Sequence, residues 1–314
     1  MKMNIFVLSI LALTLSACGQ SQAPAPAAVP PPKVADQPAN PPPPRSAQQM
    51  FDAKIEAVLA GGWRSQKNKA RDQYRHPKQT LEFFGVNDHQ TLIEIYPAAG
   101  WYAEILAPLL KDHGHYIAAI LKPKAPTGEA AQENSGIRGM FKTDPEHFGA
   151  ATIVEFDSMH PMLGAPGSAD VVLTFRNVHN MTDEGSAPAM FKAFFDVLKP
   201  GGVLGVVDHR AAAGADPEKI KHSGYLPEDY VIKLATDAGF KLDAKSEINA
   251  NPKDDHDHPK GVWTLPPTLT LGDKDKDKYL AIGESDRMTL RFVKPESDKI
   301  FSAPADNAGK PAKN

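Results

Sequence analysis

From Thr91 onward the chain alternates between short apolar runs and amphipathic stretches. TLIEIY (91–96), HYIAAIL (115–121), ATIVEF (151–156), ADVVLTF (169–175) and GVLGVVD (202–208) are near-continuous apolar runs, rich in β-branched side chains. Runs of this length predict strands of a parallel sheet buried on both faces. Between them, GWYAEILAPLLKDHG (100–114) predicts a helix closed by Gly114, and SAPAMFKAFFDVL (186–198) a second. A further helix is predicted over about Pro227 to Ala238, and Asp144 before Pro145 predicts a short capped one. Residues 122–143 predict only a long polar connection. FKLDAKSEI (240–248) and ESDRMTLRFVKP (284–295) close the pattern as strands. Ahead of the sheet, Phe51, Ile55, Val58 and Leu59 have helical spacing, and Arg71 to Phe84 is a more irregular helical segment. No internal repeat is visible. The alternation defines a doubly wound α/β domain over residues 46–300.

The flanks have a different composition. Met1-Lys2-Met3 is short and basic, and Asn4 to Leu15 is apolar but too short to span a bilayer. Residues 1–17 are therefore expected to be a signal peptide. Leu15-Ser16-Ala17-Cys18 resembles the bacterial lipobox, which implies cleavage before Cys18 and lipid on its thiol. Gly19 in the next position implies an outer-membrane destination facing the periplasm. Cys18 is the only cysteine, so no disulfide is expected. Residues 18–45 contain APAPAAVPPPK and NPPPPR, a composition that favours extended polyproline II and predicts a semi-rigid tether. Residues 301–314 are small and polar, and are expected to be a disordered tail. The net charge of −3 and the lack of a nucleic-acid-binding motif point away from nucleic-acid partners.

Several ordered segments carry a family resemblance. LKPGGVLGVVDHR resembles the fifth-strand signature of class I S-adenosylmethionine-dependent methyltransferases, ADVVLTFRNVHNM their fourth strand, and ATIVEFDSM their third. EIYPAAGWYAE occupies the place of their first motif, and GYLPEDYVIKLATDAGFKLDAKSEI resembles the segment leading to the sixth strand. Trp101-Tyr102, Asp208-His209-Arg210, Asn251-Pro252 and Arg291-Phe292-Val293-Lys294-Pro295 are similar to a group of bacterial predicted methyltransferases. The resemblance covers about Thr91 to Pro295. It implies a Rossmann-like methyltransferase fold with a mostly parallel sheet, an antiparallel last strand, and S-adenosylmethionine as cofactor.

In such a fold the cofactor lies across the carboxyl ends of the first strands. The resemblance places Glu94, Tyr96, Ala98, Gly100, Trp101, Asp157 and Asn177 around it. Glu94 matches the acid that helps position the methionine portion, and Asp157 the acid that contacts the adenine amino group. The loop departs from the pattern, since only Gly100 remains of the usual glycines and Pro97 has no N–H to donate. After the second strand, Leu121 and Lys122 stand where a ribose-binding carboxylate is usual. The compartment also differs, because S-adenosylmethionine is made in the cytosol. Catalysis outside it needs exported donor or a different ligand.

Asn177, His179 and Asn180 follow the fourth strand, and Asp208, His209 and Arg210 end the fifth. The functional reading makes His179 or His209 a general base and Arg210 an anchor for an anionic substrate. In the alternative, these side chains cap strands and bond loop backbone. Asp254, Asp255, His256, Asp257 and His258 are of metal-ligand type, but they are adjacent in sequence, which favours a solvated charged loop and no metal. DKDKDK (273–278) is expected to be a solvated turn, and Trp63, Trp101 and Trp263 core or rim aromatics. Three functions stay open at this point. They are methyl transfer to a small molecule, a non-catalytic periplasmic ligand-binding protein, and a metal-dependent enzyme using His179, His209, His222 and the 254–258 loop.

Overall fold

The computed structural model describes residues 46–296. The signal peptide, Cys18, the tether up to residue 45 and the 301–314 tail lie outside the described residues. Seven strands form one sheet: β1 (Thr91–Ile95), β2 (His115–Leu121), β3 (Thr152–Phe156), β4 (Ala169–Phe175), β5 (Leu198–His209), β6 (Lys241–Ser246) and β7 (Arg287–Val293). Their order is β3-β2-β1-β4-β5-β7-β6. Strands β1 to β5 pair in parallel, and β7 runs antiparallel between β5 and β6.

Helices α1 (Ala47–Ala60), α2 (Gln66–Lys69), α3 (Asp72–Arg75) and α4 (Pro77–Phe83) precede the sheet. Helix α5 (Ala103–Leu110) joins β1 to β2, and α6 (Glu129–Thr143) with α7 (Pro145–Phe148) joins β2 to β3. Between β4 and β5 lie α8 (Val178–Asp183) and α9 (Ala187–Val197). Between β5 and β6 lie α10 (Pro217–Ile220) and α11 (Glu228–Asp237), and α12 (Lys276–Ile282) leads to β7. Among the described residues, no helix is long and apolar enough to cross a membrane.

The strands read as continuous apolar runs because both of their faces are covered. Leu92 and Ile93 fall in opposite core clusters, as do Val171 and Val172, and Val203 and Leu204. That is the period-two alternation of a strand. One cluster draws on α1, α4, α5 and α7 through Ile55, Leu81, Leu106 and Phe148. The other draws on α8, α9 and α11 through Met181, Phe191, Phe194 and Val231. Gly205 in β5 lets Phe84 approach the sheet, since a Cβ there would stand 2.8 Å from the Phe84 ring and 2.6 Å from Leu173. This contact docks the N-terminal helices against the sheet.

Two sequence expectations need correction. The irregular segment 71–84 is two helices, broken at His76, whose left-handed φ of 41° precedes Pro77. The polar stretch 122–143 holds the 15-residue α6. Its apolar side consists of little beyond Ile137, Met140 and Phe141, too sparse a stripe to announce itself among Gly136, Gly139 and charged residues.

The chain winds outward from β1 in one direction and from β4 in the other. Their adjacent carboxyl ends form the topological switch point, where open α/β sheets place ligands.

Candidate functional site

After β1 the backbone enters the left-handed region three times, at Tyr96 (φ 48°), Ala98 (φ 49°) and Gly100 (φ 81°). The loop thus keeps a glycine-type path with a single glycine, at a strain cost of order 1 kcal/mol or more for each non-glycine. Tyr96 N–H donates to Ala119 O at 2.9 Å, and Gly100 N–H to Pro97 O at 2.8 Å. A Cβ on Gly100 would stand 2.5 Å from Met140 Cε and 3.2 Å from Ile137 Cδ1, so the glycine also seats α6. Trp101 is buried and donates to Asn68 O at 3.0 Å, while Tyr102 stacks on Phe175 at 3.5 Å. Asn177 ties the end of β4 to the loop by donating to Ile95 O at 3.0 Å.

Two adjoining cavity lobes flank this loop, and both are lined by Tyr96, Pro97, Ala98, Glu133, Asn177 and Asn180. The first, about 250 Å³, extends along Ile120, Leu121 and Ile137. The second, about 200 Å³, extends to Arg75, Glu94, Arg176, His179 and Trp263. Burial pushes the Glu94 carboxyl up to about 7, against the Tyr116 hydroxyl that donates to it at 2.6 Å and the positive charge of Arg75. Lys122 is exposed, and the Leu121 carbonyl accepts from Asn134 at 2.8 Å. Glu133 brings a carboxylate to both lobes from α6, a helix the sequence pattern did not reveal. Asp157 is exposed at the end of β3, where the Met159 N–H, 2.8 Å from Oδ1, holds its carboxyl below the usual range.

Asp208 orients the neighbouring histidines. One of its oxygens accepts from Val178 N–H at 2.7 Å; the other accepts from His209 N–H at 2.7 Å and faces His179 Nδ1 at 2.9 Å. A carboxylate partner assigns the proton to His179 Nδ1 and leaves Nε2 as an acceptor. His179 and His209 both line the second lobe. His209 Nδ1 meets Ser285 Oγ at 2.5 Å. Burial first, and then His179 and the charges of Arg176, Arg287 and Arg75, hold His209 well below the ordinary histidine range. Of the two base candidates, the lowered basicity of His209 leaves His179 the better one. Single donor atoms of His179, Asp208 and His209 lie within 4.8 Å of one another, a spacing compatible with a metal ion. Both Asp208 oxygens are already engaged by backbone N–H groups, however, which marks Asp208 as a positioning group.

Arg210 does not fill the anion-anchor role given to it from sequence. It donates to both oxygens of Asp286, at 2.9 and 3.0 Å, and to Glu247 at 2.9 Å. Its hydrogen bonds to Glu247 and Asp286 hold it above its ordinary range. His222 is also displaced from the switch-point site. It is exposed and pairs with Asp183 at 3.2 Å on an open cavity of about 1080 Å³ that meets the second lobe only at His179. The 254–258 loop is not simply solvated. Asp254 is buried and accepts from Tyr225 OH, His256 N–H and Asp286 N–H, while His258 Nε2 lies 2.8 Å from it. This knot fixes the entry to β7, and its parts are too far apart in sequence to be read as one cluster. Trp63 is a rim aromatic, stacked on His147 at 4.0 Å, whereas Trp101 and Trp263 line the second lobe.

Sequence reasoning missed the arginines. Glu284 accepts from Arg71, Arg75 and Arg287 at 2.7, 3.1 and 3.1 Å. Burial would raise Glu284, but Arg75, Arg287, Arg176 and Arg71 outweigh it and hold the carboxyl at about 2. Arg176 follows β4 with a left-handed φ of 61° and lines the second lobe. Burial, with Arg287 and Arg71 adding and Glu284 opposing, lowers Arg176 to about 10.

A seven-stranded sheet with β7 reversed between β5 and β6, and a loop cavity at the β1/β4 switch point, is the class I methyltransferase fold. No protein-family profile and no curated protein matches the sequence. Among solved structures, a proposed sarcosine dimethylglycine methyltransferase from Galdieria sulphuraria superposes with a TM-score of 0.50 at 13% identity, over 79% of this chain and 99% of that one. A SAM dependent methyltransferase from Aquifex aeolicus superposes with a TM-score of 0.47 at 14% identity, over 77% and 97% of the two chains. At such identities the likeness is one of fold.

Proposed function

We propose that the chain is an S-adenosylmethionine-dependent methyltransferase acting on a small molecule. The observation that carries this reading is the two-lobed cavity around loop 96–100, with the Asp208-oriented His179 on its wall. Its lobes suit a ligand with a nucleoside at one end and an amino acid at the other. Tyr96, Ala98, Gly100, Trp101 and Asn177 shape the loop between them, and Asp157 stands at the neighbouring strand end. Glu133 offers the first lobe the acceptor oxygens that Lys122 lacks. Glu94, poised near pH 7, faces the second lobe, where it can accept from a ligand ammonium. When bound, the donor supplies an electrophilic methyl group. His179 Nε2 takes the proton that the methyl acceptor gives up, and Asp208 stabilises the imidazolium that results. His209 stays neutral and holds the wall through Ser285.

Hydrogen exchange of the intact chain, with and without S-adenosylhomocysteine, tests the assignment. Protection should concentrate at 96–101 and around Glu133 to Ile137. Unchanged exchange at both segments under saturating ligand contradicts it.

A second reading, ligand binding without chemistry, is favoured by the Tyr96 hydroxyl, buried without a partner beside the donor-free Pro97. It requires that His179→Ala leave every ligand-dependent property of the chain intact. The proposal extends to the flanks, with lipid on Cys18 anchoring the domain at the periplasmic side of the outer membrane. Cys18→Ser should then move the chain from the membrane fraction to the soluble one, and a variant that stays with the membrane refutes the anchor.

A further inference from the structure

Buried cations are costly unless an anion meets them. Around the second lobe, Arg71, Arg75, Arg176 and Arg287 all act on the single carboxylate of Glu284. Both Glu284 oxygens are already engaged, one by Arg71 and the other by Arg75 and Arg287. Asp208 is bound to Val178, His209 and His179, and burial draws Glu94 toward its neutral form. Glu133 also lines the lobe, but the groups acting most strongly on Arg176 are Glu284, Arg287, Arg71 and Asp208. Among the described residues, no carboxylate lies within 4.0 Å of the Arg176 guanidinium. Arg75 is 2% exposed and lines the same lobe, yet its buried Nη2 makes no hydrogen bond. The guanidinium of Arg75 lies over the Trp101 ring at 4.6 Å, which fixes its plane. Arg75 with its unused donor and Arg176 therefore border one small cavity, whose wall also includes Glu94, Glu133, Glu284, Trp263, Pro266 and Pro267.

We propose that the second lobe binds the carboxylate end of the methyl acceptor between Arg75 and Arg176, with a small apolar body against Trp263 and Pro266–Pro267, beside His179. The acceptor role rests on the methyltransferase reading, whereas the anion site stands on the arginines alone. A guanidinium fork matches the two oxygens of a carboxylate, which an ammonium does not. The lobe's volume of about 200 Å³, shared with the amino-acid end of the donor, limits the acceptor to a small acid. A carboxylate could also come from the amino-acid end of the donor, and the test separates these sources.

The intact chain is titrated with benzoate, isobutyrate, the neutral isostere benzamide, and S-adenosylhomocysteine, reading tryptophan fluorescence and melting temperature. At least one of the two acids should bind, with benzamide at least about tenfold weaker than benzoate where benzoate is the ligand. Arg176→Gln should weaken the acid at least about tenfold and leave S-adenosylhomocysteine affinity within about twofold. Arg176→Lys should fall between wild type and Arg176→Gln, since it keeps the charge and loses the fork. The unliganded Arg176→Gln protein should melt no lower than wild type, so lost binding is not lost folding. Failure of both acids to bind, or equal binding to Arg176→Gln, overturns the site. A selective loss of S-adenosylhomocysteine in Arg176→Gln gives the clamp to the donor and overturns the acceptor assignment. Acid binding through Arg176 without any S-adenosylhomocysteine binding upholds the anion site and rejects the methyltransferase reading instead.

Discussion

Arg176 and Arg210 stand just past the ends of neighbouring strands, β4 and β5, and their surroundings are opposite. Arg210 is met by Asp286, Glu247 and, at 3.8 Å, Glu228. Arg176 shares one buried carboxylate, Glu284, with three other arginines. The first is a closed structural network that ties β5 to the entry of β7. The second is a group of four arginines around one carboxylate, set beside a cavity that Glu94 and Glu133 also line. Position at the carboxyl edge of a sheet nominates both residues as ligand-binding. Charge compensation separates them.

The largest effect should come from removing the one acid in the cationic cluster. Glu284→Gln leaves Arg71, Arg75 and Arg287 without their shared partner, and should cost about 3–5 kcal/mol in denaturant unfolding. Its pH signature has a definite sign. Because the folded-state pKa is depressed to about 2 from 4.5, this stabilisation is complete above pH 4.5 and is lost as pH falls toward 2. A variant as stable as wild type at pH 7 would break the picture of a cluster held by one carboxylate.

Glu94 supplies the contrast on the acid side, for it too sits beside Arg75 but titrates the other way. Its folded-state pKa is raised to about 7 from 4.5, so its contribution is present below pH 4.5 and declines as pH rises to 7. Glu94→Gln, which imitates the neutral form, should unfold at higher denaturant than wild type at pH 8, by up to about 3 kcal/mol. At pH 4.5 the two should converge, and an equal gap at both pH values would contradict the assignment.

Arg210→Gln strands Asp286 and Glu247. Because Glu247 is exposed and Arg210 half-buried, the loss should be nearer to about 2 kcal/mol than to the full cost of a buried pair. Smallest, and opposite in sign, is Arg176→Gly. It relieves both the left-handed strain at φ 61° and the mutual repulsion, and should raise unliganded stability by about 1 kcal/mol. If Arg176→Gly and Arg210→Gln lose stability alike, the contrast between the two arginines is void.

The sheet was legible because its strands state their own burial. HYIAAIL and ADVVLTF coincide with β2 and β4, since a strand covered on both faces needs no partner to be recognised. The site was legible only in part. His179 and Asp208 follow from their places after β4 and at the end of β5, but the lowered basicity of His209 depends on its burial beside His179 and arginines from three other segments. Glu133 was hidden because α6 carries few apolar side chains and owes its position to packing over Gly100. Arg210 was misassigned and Arg176 passed over for one physical reason. The carboxylates that decide between them, Asp286 and Glu284, come from the far end of the chain and enter only through the insertion of β7 beside β5. The Asp254 knot shows the same limit, as its partners Tyr225 and Asp286 are brought to it by the fold.

Calorimetric titration of the intact chain with S-adenosylmethionine and S-adenosylhomocysteine tests the two-lobed donor site most directly. Such a site predicts micromolar binding of both, weakened at least about tenfold by Glu133→Ala, which removes the acid proposed to serve the first lobe and leaves Glu184 on its wall. No heat from either compound at millimolar concentration would contradict it and leave the fold a scaffold for a different ligand.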